Sequence, residues 1–94
     1  MSPEQKHLLK LIDEILWNDW DPLGVNEFEE ARDEYSSYAL QIFGLKIHNT
    51  HKAIIAEKLY QFETVNMGVG TFKSKQHCEE IAQKITDLYI GSLL

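Results

Sequence analysis

The sequence predicts an all-α fold, a small four-helix bundle-like single domain over residues 1–94. Three observations carry that expectation. Apolar residues recur at steps of three and four along four separate stretches, the pattern of helices with one buried face. Residues that start and stop helices bound those stretches. No segment alternates apolar and polar residues cleanly enough to be a strand, although 65–72 leaves room for a short extended piece. Ninety-four residues suit one domain, and 44% hydrophobic residues supply a core without covalent staples.

The first helix is predicted over about 3–20. Ser2 is its N-cap, Pro3 its first residue, and Gln5 closes a capping box. Leu8, Leu9, Leu11, Ile12, Ile15, Leu16, Trp17 and Trp20 form its apolar stripe. Asp21-Pro22-Leu23-Gly24 breaks it, because proline disfavours a helical residue before it and glycine allows positive φ.

The second helix is predicted over about 27–43, capped by Asn26, with Glu29 at the third position and Val25 as a staple. Phe28, Ala31, Tyr35, Tyr38, Ala39, Ile42 and Phe43 face its core, and Gly44 follows its end. A third helix over about 50–66 starts at Asn49 or Thr50. It presents Ala53, Ile54, Ala56, Leu59, Tyr60 and Phe62, widened by Ile55. A fourth over about 75–90 has Ser74 as N-cap, buries Cys78, Ile81, Ala82, Ile85, Leu88 and Tyr89, and stops at Gly91.

Charge is the feature that bears on function. Residues 1–36 hold ten acids and three bases, whereas residues 37–94 hold five acids and six bases. An acidic half repels nucleic acid, and the lysines after residue 36 are too scattered to make a basic stripe. Direct DNA or RNA binding is therefore not expected. The acids of this half, Asp13, Glu14, Asp19, Asp21, Glu27, Glu29, Glu30, Asp33 and Glu34, are the candidate partner-binding residues. Trp17, Trp20, Tyr35 and Tyr38 join them, since tryptophan and tyrosine are favoured interface anchors. The competing reading is a solvated surface, with first-turn glutamates answering a helix dipole and the aromatics packed in the core.

Catalytic and metal signals are weak. Glu4-x-x-His7 is one E-x-x-H motif where a di-iron bundle needs two and further glutamates. His48 with His51, and His77 with Cys78, lack the companions of a zinc site. Cys78 lies on an apolar stripe and reads as a small hydrophobe. Gly68-Val69-Gly70 lacks a third glycine and a preceding strand, and no phosphate-binding or nucleophile motif occurs. No enzyme activity, metal or cofactor is expected. A single cysteine excludes an internal disulfide, no apolar run approaches the ~20 residues of a membrane span, and Met1–Lys6 does not open a signal peptide. These observations predict a cytoplasmic protein.

Two motifs carry a resemblance. Leu16-Trp17-Asn18-Asp19-Trp20-Asp21-Pro22-Leu23-Gly24-Val25 and Asp33-Glu34-Tyr35-Ser36-Ser37-Tyr38 resemble the "L-W-x-x-W-D-P-x-G-V" turn and "D-E-Y-x-x-Y" helix of small bacterial proteins. These include YugE-like domains and immunity proteins of contact-dependent growth inhibition and related polymorphic toxin systems. The motifs cover roughly residues 11–45; the rest is similar only in helical pattern and around Glu63–Gly68. The resemblance implies a helical, non-catalytic protein. It also leaves open that the motif specifies the fold, with Asp21 bracing the turn and Tyr35 and Tyr38 packed beneath it. Together with the acidic half, it implies an immunity protein that covers a cognate toxin, a basic nuclease. The alternative is a regulatory or adaptor domain that binds another protein or itself.

Overall fold

The computed structural model describes residues 1–71 and 73–88. Helix α1 covers Pro3–Ile15, α2 Ser36–Ile47, α3 Lys52–Gln61 and α4 Ser74–Thr86. Among the described residues there is no strand, and the architecture is the expected small all-α bundle. Helix α4 ends at Thr86 rather than near residue 90, and the expected stop at Gly91, the inward Tyr89 and the end of the extended piece at Phe72 lie outside the described residues.

Helix α1 starts as its sequence dictates. Ser2 Oγ accepts from the Gln5 N–H at 3.1 Å, and Gln5 Oε1 accepts from the Ser2 N–H at 2.9 Å. Leu8, Ile12 and Leu16 are buried on one face. After Ile15 the helix widens into a π segment, Leu16–Trp20, closed by an Asp21 N–H to Leu16 O bond of 2.9 Å. Asp21 then turns left-handed at φ 30°. Helix α3 ends in the same manner: a π segment covers Phe62–Met67, and Gly68 turns left-handed at φ 68°. Residues 65–67 are therefore helical rather than extended.

The expected second helix is corrected at its start. Residues 25–36 form a chain of tight turns, with i→i−3 bonds from Phe28 to Val25, Ala31 to Phe28, Glu34 to Ala31 and Ser36 to Asp33. One short 3₁₀ turn, Glu29–Ala31, lies within it, and the α-helix begins only at Ser36. The physical reason is twofold. Asn26 does not cap; its side-chain amide donates to Trp17 O at 3.2 Å. An α-helix here would also stack Glu29 on Asp33 and Glu30 on Glu34, like charges at i,i+4. Helix α2 then runs through Gly44 to Ile47, and Asn49 beyond the His48 cap takes the left-handed conformation at φ 54°. Asparagine tolerates that region better than other side chains with a Cβ, so Gly44 is not needed as a stop.

Two caps also differ from expectation. His51, not Asn49 or Thr50, caps α3, its Nδ1 accepting from the Ala53 N–H at 3.0 Å. Lys73 precedes α4, whose first residue, Ser74, accepts through Oγ from the Thr71 N–H at 2.8 Å.

The core draws on every helix. Ile42 and Phe43 of α2, Ile55 and Leu59 of α3, and Ile81 and Ile85 of α4 close over Ile12 and Leu16. Helix α3 packs most extensively on α4, and α1 on α2. The inward face of α3 is rotated from expectation: Ile54 is 55% exposed and Ile55 only 1%. Lys46 is buried as well. Its Nζ donates to Thr86 O at 2.8 Å, at the carbonyl end of α4, where a cation is favoured. Burial lowers its pKa, against the pull of Asp87.

Candidate functional site

The site begins with the turn after the first π segment. Asp21 Oδ1 accepts the Val25 N–H at 2.9 Å and the Tyr35 hydroxyl at 2.7 Å, and Oδ2 accepts the Asn26 N–H at 3.3 Å. Tyr35 Oη in turn accepts the Leu23 N–H at 3.1 Å. Burial, reinforced by the Asp21 carboxylate, holds the Tyr35 phenol above its ordinary pKa, so it stays a donor. Aspartate, proline and tyrosine at this spacing thus build one self-satisfied turn.

This geometry separates the candidate partner-binding residues by burial and by partner. Trp17, Trp20 and Tyr35 are buried and belong to the core. Their rings pack on one another, with centroids 6.3 Å apart for Trp17–Tyr35 and 5.4 Å for Trp20–Tyr35. Tyr38 is half-buried and lies 4.6 Å from the Phe62 ring. Asp21 is spent on the turn. Asp13 receives Arg32 Nη1 at 2.8 Å, and Asp19 faces Lys84 Nζ at 3.3 Å. Glu14 is half-buried on α1. The amphipathic pattern reported large apolar rings correctly as core residues, but their enrichment at interfaces also made them look like anchors.

Glu27, Glu29, Glu30, Asp33 and Glu34 remain, and all are exposed. Among the described residues none of these five forms an ion pair. The one base of the segment, Arg32, is turned away to Asp13, with its guanidinium 5.2 Å above the Trp17 ring. Phe28, expected in the core, is instead 53% exposed, between Glu27 and Glu29 in the chain. Its exposure follows directly from the late start of α2. No sequence signal marked it, because its spacing fits a helix that does not form.

A second feature was also missed. Glu63, only 3% exposed, accepts at Oε1 from Trp20 Nε1 at 2.7 Å and from Cys78 Sγ at 3.2 Å. Burial pushes the Cys78 thiol up to about 12, and its bond to Glu63 adds to that. It is a protonated donor at neutral pH, not a nucleophile. His77 Nε2 lies 3.3 Å from Trp20 O. No sequence pattern joins Trp20 to Glu63; only the meeting of the two π-helical ends does. Among the described residues no three His, Cys, Asp or Glu side chains converge as a metal site. No described helix is long and apolar enough to cross a membrane.

No family model, curated protein or solved structure matches this chain.

Proposed function

We propose that this chain is an immunity protein that neutralises a cognate toxin domain, a basic nuclease, by covering its active or substrate-binding surface. One observation supports the reading: five exposed carboxylates, none in an ion pair among the described residues, share the turns that precede α2 with a half-exposed phenylalanine. Carboxylates in that array take the place of phosphates against the lysines and arginines of a nucleic-acid-binding surface. Phe28 supplies the apolar anchor that a purely charged contact lacks. The irregular backbone suits the role, since loops carried on a rigid scaffold often hold binding residues. Encounter is fast and salt-dependent, and desolvation of the aromatic contact sets the off-rate.

The test is co-expression with the C-terminal toxin domain encoded immediately upstream. Survival with the chain, and death without it, is the expected result. Glu30→Lys with Asp33→Lys is expected to abolish rescue while leaving the helical circular dichroism unchanged. No rescue by the native chain would favour a regulatory or adaptor domain instead.

A further inference from the structure

An open cleft of about 750 Å³ lies where the π-helical ends of α1 and α3 meet the start of α4. Trp20, Pro22, Glu63, Ser74, His77 and Glu80 line it. Glu63 is the unusual member. A carboxylate this deeply buried needs its oxygens satisfied. Oε1 accepts from two donors, the Trp20 indole and the Cys78 thiol. Oε2 accepts from no described residue, yet it is not among the fully enclosed unpaired atoms. The open side of the carboxylate therefore gives onto the cleft that the residue lines.

The charge of the lining points the same way. Asp21, Glu63 and Glu80 stand against Lys73. We propose that this cleft is a binding site for a single cationic N–H donor, an alkylammonium or alkylguanidinium group, with Glu63 Oε2 as its acceptor. A charge-assisted bond to a carboxylate shielded from water is the strong kind. The Trp20 and Cys78 donors fix the carboxylate, so little freedom is lost when the cation arrives. The group belongs either to a free amine or to a lysine or arginine of another protein. The site stands apart from the acidic turns at 26–34 and does not depend on their role.

Trp20 supplies the reporter, because its indole N–H bonds the same carboxylate. Methylammonium and methylguanidinium chloride, at millimolar concentration, are titrated into the full ¹⁵N-labelled chain. The expected result is a saturable shift of the Trp20 indole resonance, with the Trp17 indole unmoved. Tetramethylammonium chloride, which has no N–H, gives no such shift. Glu63→Gln, which keeps an acceptor for Trp20 and Cys78, is expected to weaken saturation on the order of tenfold or more. Gln76→Trp, an exposed position on the cleft, blocks it sterically and covers the case in which Glu63→Gln does not fold. Shifts that are linear, shared with tetramethylammonium, or unchanged in Gln76→Trp would overturn the proposal. Short capped peptides with one lysine or arginine then separate the sources: tighter saturation than the methyl amines marks a protein side chain, and equal saturation marks a free amine.

Discussion

Trp20 shows how one side chain serves both packing and polarity. Its ring meets Tyr35, Tyr38 and Phe62, and its indole N–H satisfies Glu63. Trp20→Phe keeps much of the ring but takes from the buried Glu63 oxygen the stronger of its two donors, leaving only the Cys78 thiol, a loss of about 1–3 kcal/mol. Trp17 has only packing and the Arg32 cation above it, so Trp17→Phe is expected to cost clearly less. Urea denaturation of the pair checks the order; equal costs would mean that the Glu63 bond contributes nothing. Cys78 gives a pH signature. Its thiol titrates ordinarily at 9.0 but at about 12 in the folded chain, so the unfolded chain loses the proton first. Stability is therefore full below pH 9 and falls as pH rises toward 12. Tyr35 acts in the same direction above its ordinary value of 10.0. Denaturation midpoints across pH 7–11 are expected to decline above pH 9, with a shallower decline in Cys78→Ser. A rise instead would reverse the assigned direction. The capping box at Ser2 and the inward Cys78 were legible in sequence because each depends on neighbours in the chain. The Trp20–Glu63 bond was not, since it joins residues forty-three positions apart.

At the scale of the elements, existence was legible and rotation was not. Every helix expected from periodicity is present among the described residues, yet α3 turns Ile55 inward and Ile54 outward. A run of Ala53-Ile54-Ile55-Ala56 offers two adjacent apolar stripes, and only packing against α4 chooses between them. Ile55→Ala is thus expected to cost about 2–5 kcal/mol. Ile54→Glu is expected to change stability by about 0.5 kcal/mol or less, as a surface change does. Thermal melts separate the two, and a severe loss in Ile54→Glu would place that side chain in the core. The loop after the second π segment is tightly specified too. A Cβ at Gly70 would sit 2.5 Å from Thr64 Cγ2, and the Thr64 hydroxyl is held by Tyr60 O at 2.9 Å. Gly70→Ala is expected to destabilise by about 1–3 kcal/mol. Thr64→Ser removes the obstructing methyl and keeps the hydroxyl, so the double variant recovers most of the loss. Absence of recovery would locate the strain elsewhere.

For the whole molecule, the acidic half is a sequence fact that the fold divides in two. Tertiary contacts give Asp13 an arginine, Asp19 a lysine and Asp21 a turn to hold, and none of these partners is visible in a charge count. What remains is a concentrated charge on the 26–34 turns, within a chain of net charge −6. Like charges crowded on one surface repel, and a fold selected for stability alone would intersperse them with bases. The repulsion has a measurable sign. Raising salt from low to physiological ionic strength screens exposed charges over about 8 Å, so the native chain is expected to gain stability. Glu29→Gln with Glu30→Gln is expected to gain about 0.5 kcal/mol at low salt and to show less salt dependence. If these carboxylates serve a basic partner, the same neutral variant associates more slowly while its dissociation rate changes little. A more stable chain that binds less well is the mark of charge held for recognition. A variant neither stabilised nor slowed would leave the acidic turns as an ordinary solvated surface.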